Sequence, residues 1–127
     1  MFSHVALGAN DIEASRAFYD ATLVALGGQP GGSDPRGKLV YLHRGALLIV
    51  GAPIDGEPAC HANGGTIGFA ADSTAMVDAW HAAGVANGGT SVEDPPGIRQ
   101  MSMGPLYLAY LRDPAGNKLC AVHRVTA

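Results

Sequence analysis

The sequence predicts an α+β fold made of two copies of one small unit, and three observations carry that prediction. First, the chain repeats itself. Residues 4–28 and 66–89 align at a shift of 62, which lays Val5 on Ile67, Leu7 on Phe69, Asn10 on Asp72, Phe18 on Trp80 and Ala21 on Ala83. One skipped residue then matches the Gly-Gly pairs that end both copies. Second, each copy holds one stretch with apolar residues at helical spacing. Third, each copy is followed by two strand-like runs that flank turn residues.

The elements follow in order. His4 to Gly8 alternates as a short strand. Asn10 with Glu13 three residues later is a capping-box-like start, and Ile12, Ser15, Tyr19, Leu23 and Leu26 then form a helical stripe that Gly27 ends. Lys38–His43 and Ala46–Val50 read as a hairpin around Arg44-Gly45. In the second copy Asp72 or Ser73 caps a helix with Met76, Val77, Trp80 and Ala83 on one face, and Gly88 stops it. Leu106–Arg112 and Lys118–His123 flank Asp113-Pro-Ala-Gly-Asn117, in which Pro sets φ and Gly and Asn tolerate positive φ. Ser91 to Pro105 reads as an irregular loop, longer than a minimal connector. The chain thus divides into a first module over 1–52, a linker over 53–64 and a second module over 65–127. Two such halves related by a pseudo-two-fold axis leave a concave trough between their sheets.

Composition narrows the function. With 127 residues, 47% of them hydrophobic and 15% charged, the chain is long enough for one domain with a real core. Net charge is −3 and the eight Lys and Arg residues are scattered, so the clustered basic footprint of a nucleic-acid binder is missing. The longest strongly apolar run, Gly45 to Pro53, falls far short of the ~20 residues of a membrane span. No basic, apolar leader opens the sequence. Two cysteines, Cys60 and Cys120, make no disulfide framework, so a reducing cytoplasm is expected. Dinucleotide, phosphate-loop and nucleophile-elbow motifs are absent.

The doubled unit, the helix segment ASRAFYDATLVALG with its Phe18-Tyr19 pair, His4 in the first strand and Asp113-Pro114-x-Gly116-Asn117 before the last strand together resemble the vicinal oxygen chelate superfamily. That group includes glyoxalase I, bleomycin-resistance proteins, extradiol dioxygenases and fosfomycin-resistance enzymes. The resemblance spans essentially the whole chain. It implies two βαβββ modules related by a pseudo-two-fold, a concave half-barrel trough with helices on the outer face, and a homodimer.

Metal-dependent members take ligands from the first and fourth strands of each module, where a divalent ion stabilises an enediolate-like intermediate. Carried onto this sequence, those positions are His4, Ile49, Thr66 and Cys120. The first fits. Ile49 stands where lyases carry a carboxylate, Thr66 where a histidine is usual and Cys120 where a glutamate is usual. The resemblance therefore implies a decayed metal centre, with no cofactor and a small organic ligand in the trough.

The expected pocket comprises His4, Ile49, Thr66, Cys120, Arg99, Met101, Met103 and Tyr107. His4 and Cys120 alternate with apolar neighbours that helices should cover. Arg99, in the Pro96-Gly97-Ile98-Arg99 element, can hold a carboxylate and so favours an anionic ligand. Met101 and Met103 suit an adaptable apolar wall, and Tyr107 offers a hydroxyl. Two rivals stand beside this expectation. One is an active lyase or dioxygenase that binds zinc, nickel or iron through His4 and Cys120. The other is a cofactor-free enzyme with His4 as base.

Overall fold

The computed structural model describes residues 1–125. Its elements are β1 (His4–Gly8), α1 (Ile12–Ala25), β2 (Gly32–Ser33), β3 (Leu39–His43), β4 (Ala46–Gly51), β5 (Ile67–Ala70), α2 (Thr74–Ala86), β6 (Thr90–Met101), β7 (Gly104–Arg112) and β8 (Lys118–Arg124). This is βαβββ written twice. The sheets have matching strand orders, β1-β4-β3-β2 and β5-β8-β7-β6, and in each the first strand runs parallel to the last. The repeat in the sequence is thus a repeat of topology.

Local chemistry sets the helix ends. Asp11, one residue after the expected cap, accepts a hydrogen bond from the Ala14 N–H at 3.1 Å. Asn10 is used differently: its amide group donates to Ala59 O and accepts from Ala59 N–H, pinning the linker to the start of α1. Ser73 caps α2 through the Met76 N–H at 3.1 Å. Gly27 and Gly88, with φ of 87° and 91°, end the two helices in the left-handed region that favours glycine.

One core serves both halves. Phe18 and Trp80, equivalent in the repeat, are both fully buried, and with Tyr19, Leu23, Val77, Leu39, Tyr41, Val50, Leu111 and Leu119 they join both helices to the inner faces of both sheets. Gly84 and Gly89 make room for this: a Cβ at Gly84 would lie 2.3 Å from Leu111 Cδ1, and one at Gly89 2.5 Å from Phe18 Cε2.

A buried polar knot crosses between the modules. Tyr19 in α1 donates its hydroxyl hydrogen to Asp113 Oδ2. Asp113 also accepts from the Asn117 side chain and from the Ala115 and Asn117 N–H groups, while Asn117 Nδ2 donates to Gly8 O at 3.0 Å. The DPxGN turn is therefore also the tie between the second module and β1. At the surface Arg44 and Asp72 form a second inter-module link, an ion pair.

The expected loop over Ser91–Pro105 is a correction. Residues 90–101 form β6, paired antiparallel with β7, and the register slips between Val92 and Gly97. The slip holds Pro95 and Pro96, which have no N–H to give a ladder, so a bulge is where they fit. No helix among the described residues is long and apolar enough to cross a membrane.

Candidate functional site

Each sheet has one face covered by helices and one free of them, and strand alternation decides which side chains reach the free face. In the first sheet Val5, Leu7, Leu48 and Val50 pack inward, which turns His4, Ala6, Leu47 and Ile49 outward. In the second, Leu119, Ala121, Ala109 and Leu111 pack inward, which turns Cys120, Leu108 and Tyr110 outward.

His4 and Ile49 do come together. They line one depression of about 340 Å³ with Ala6, Pro35, Arg36 and Lys38. The His4 ring shares a hydrogen bond with Ser3 Oγ through Nδ1, at 2.7 Å. Asp34 lines the same depression, but its Oδ1 accepts from the Arg36 and Lys38 N–H groups at 2.8 and 2.9 Å. That carboxylate shapes the turn, and the turn presents two cations. Lys38 lies across Gly51, where an added Cβ would sit 2.5 Å from its Cγ, so glycine there lets the lysine stem cross the sheet.

Thr66 and Cys120 lie elsewhere. Thr66 is exposed just before β5 and lines a separate space of about 80 Å³ with Leu7, Asn117 and Lys118. Cys120 is buried opposite Gly68 and Tyr110. Burial pushes its thiol up to about 11; a hydrogen bond from Tyr110 and the charges of Lys118 and Arg99 work the other way, and Glu93 adds to the rise. A thiol this reluctant to ionise is not a ready nucleophile near neutrality.

The remaining expected residues separate further. Arg99 turns back on its own strand, donating to Asp94 O and Pro95 O at 2.9 and 3.1 Å. Met101 ends β6 and Met103 stands in the tight β6–β7 turn, both exposed. Tyr107 is a correction: it packs on the helix side and donates to Asp78 Oδ1 of α2 at 2.6 Å, because it shares its face with the inward Ala109 and Leu111. The tyrosine on the free face is Tyr110, with the Lys118 ammonium 4.8 Å from its ring centre and Lys118 also paired with Glu93. Arg36, Lys38 and Tyr110 were not expected from the sequence. Tyr110 was findable, since alternation counted from Cys120's neighbours selects it over Tyr107.

Among the described residues, no three His, Cys, Asp or Glu side chains gather in a group that could hold a metal ion.

Comparison with known proteins settles the ancestry. The model of the glyoxalase/bleomycin resistance protein/dioxygenase superfamily matches residues 1–121. The chain belongs to that superfamily. Among solved structures, this glyoxalase-superfamily chain is 54% identical to a glyoxalase/bleomycin resistance protein from Albidiferax ferrireducens, with a TM-score of 0.94 over 97% of this chain and 98% of that one. It shares its fold with a lactoylglutathione lyase from Agrobacterium tumefaciens, at 24% identity and TM-score 0.66 over 96% and 92% of the two chains. A glyoxalase-related enzyme from Fulvimarina pelagi is similar at 19% identity and TM-score 0.74 over 98% and 88%. No protein of curated function matches the chain.

Proposed function

We propose that this superfamily member binds a small organic anion at the His4 depression, without a metal, and does so as a cytoplasmic homodimer. The observation that carries the proposal is the composition of that depression. Ile49, Ala6 and Pro35 give it an apolar floor, and His4, Arg36 and Lys38 line it as well, with one oxygen of the nearby Asp34 carboxylate engaged by two backbone N–H groups. An apolar bed with a few convergent cationic groups suits a carboxylate-bearing organic molecule.

The metal chemistry of the superfamily does not fit these residues. Of the four positions that resemblance assigns to ligands, Ile49 has no donor atom, Thr66 offers a neutral hydroxyl and Cys120 is buried outside the His4 depression. A divalent ion would be left with His4 and too few further ligands. The dimer is supported by the free face of the first sheet, where Leu47 beside His4 and Leu42 beside Leu47, 67% exposed, form an uncovered apolar row. Two free cysteines, one of them exposed Cys60, suit a reducing compartment.

The test is a titration of the untagged protein with a panel of small monocarboxylates, followed by amide NMR shifts. Saturable shifts clustered at His4, Ile49 and Arg36 are expected, weakened about tenfold or more by Lys38→Ala with Arg36→Ala. Stoichiometric zinc, nickel or iron in the purified protein, held through His4, would overturn the metal-free reading. A mass near 13 kDa at all micromolar concentrations would overturn the dimer.

A further inference from the structure

The His4 depression has a neighbour. A second depression, of about 350 Å³, is lined by Gly8, Pro53, Asp55, Pro58 and Cys60, and Ala6 and Lys38 line both. The sheet register explains the shared lysine. Leu39 pairs with Val50, which sets Lys38 opposite Gly51, and its stem crosses that glycine on the free face. Lys38 therefore lies between two depressions that adjoin.

The linker builds the far wall. The Asn10 side chain grips Ala59 by two hydrogen bonds, at 3.1 and 2.7 Å, and Gly8 permits the close approach, since a Cβ there would lie 2.7 Å from Ala59 Cβ. The Gly56 N–H donates to Pro53 O at 3.2 Å and closes a turn that carries Asp55 into the lining.

The two ends differ in charge. His4, Arg36 and Lys38 line the near depression, where one oxygen of Asp34 is held by backbone. In the far one the charged residue besides Lys38 is Asp55. Its Oδ1 accepts from the Glu57 N–H at 2.9 Å, and among the described residues its other oxygen has no hydrogen-bond partner. Lys38 is half-buried, yet among the described residues its ammonium is in no ion pair. Charges withdrawn from water are normally paired.

We propose that the two depressions form one groove for an elongated zwitterion, with its carboxylate at Lys38 and Arg36 and its amine at Asp55. This names the ligand class of the His4 depression and rests on the anion reading above. Length follows from strand geometry. His4, Ala6 and Gly8 are successive outward residues of β1, each about 7 Å from the next, so the charges of the ligand must stand apart. An α-amino acid holds them side by side, whereas a straight chain with a carboxylate at one end and an amine at the other spans the groove. A dicarboxylate would bring its second charge against Asp55, and like charges repel.

The experiment titrates the full chain with acetate, hexanoate and 6-aminohexanoate, read by amide NMR and by the rate of Cys60 alkylation with iodoacetamide. Acetate is expected to shift His4 and Ile49 alone and to leave Cys60 alkylation unchanged. 6-Aminohexanoate should also shift Ala59 and Cys60 and slow the alkylation. Asp55→Asn, which keeps the oxygen that holds the turn, should weaken 6-aminohexanoate about two- to fivefold, the worth of an exposed ion pair, without weakening hexanoate. Should the carboxylates bind at His4 while Ala59 and Cys60 stay unmoved, or should Asp55→Asn leave 6-aminohexanoate binding unchanged, the zwitterion is overturned and the anion reading stands. Absence of saturable binding by all three probes overturns both.

Discussion

Replacing Tyr19 by Phe removes one hydroxyl and nothing else, and the polar knot says what that costs. Tyr19 is fully buried and Asp113 is 4% exposed, so the bond between them joins a phenol to a carboxylate away from water. Hydrogen bonds to charged groups are worth ~1.5–3 kcal/mol. Tyr19→Phe should therefore lower stability by about 2 kcal/mol near pH 8, a fall in Tm of roughly 6–10 °C for a chain of this size. The pH dependence sharpens the test. Burial first, and then the Asp113 charge and hydrogen bond, hold the Tyr19 phenol well above its ordinary value of 10.0. Its contribution is thus fully present below pH 10 and is lost as pH rises toward the folded value. Each unit above 10 should cost the wild type about 1.4 kcal/mol through this proton. Tyr41, Tyr110 and Cys120 titrate upward too, but they do so in both proteins and cancel in the difference. Urea denaturation from pH 8 to 11.5 should show the two stabilities converging. A difference under about 0.5 kcal/mol at pH 8, or one that stays constant with pH, would refute the idea that this bond fastens the modules.

Other expectations follow from the same packing. Iodoacetamide at pH 8 should label exposed Cys60 and spare Cys120, whose thiol sits at about 11; peptide mass mapping reads this, and Cys120 should become reactive only on unfolding. Gly84→Ala, a change that stabilises most exposed helices by ~1 kcal/mol, should here cost about 1–3 kcal/mol because the new methyl meets Leu111 Cδ1; a gain in Tm would show that α2 can move off the sheet freely. Arg44→Ala breaks a half-exposed ion pair with Asp72 and should change stability by under ~1 kcal/mol.

The doubled architecture was legible because it rests on local signals: period-3.6 stripes, cap residues and glycine stops repeat in both halves, and Phe18 and Trp80 fill matching places in the core. The outward turn of His4 followed from simple alternation, whereas Ile49 was reached only through the family resemblance. What failed depended on partners distant in sequence. β6 contains two prolines and a glycine and shows no alternation, and it is a strand only because β7 supplies its register. In Leu106–Arg112 both faces are apolar, so the strand's own pattern does not separate Tyr107 from Tyr110, and only the pairing across the turn to Cys120 does. Arg36 and Lys38 belong to a turn, and only the folded sheet carries them to His4.

The knot at Asp113 also has a consequence for the order in which the chain becomes structured. Tyr19 waits for a partner 94 positions away, and Gly8 O for one 109 positions away. While the chain is being synthesised from its N-terminus, the first module can pair β1 with β4 as soon as Gly51 has emerged. Yet Phe18 then remains without Gly84 and Gly89 against its ring, and Tyr19 without Asp113. The N-terminal half is left with part of its apolar side uncovered until α2 has been made, and with its polar tie unmade until Asn117 has followed. Synthesis rate over residues 53–117 therefore sets how long that surface stays open to chaperones or to a neighbouring nascent chain.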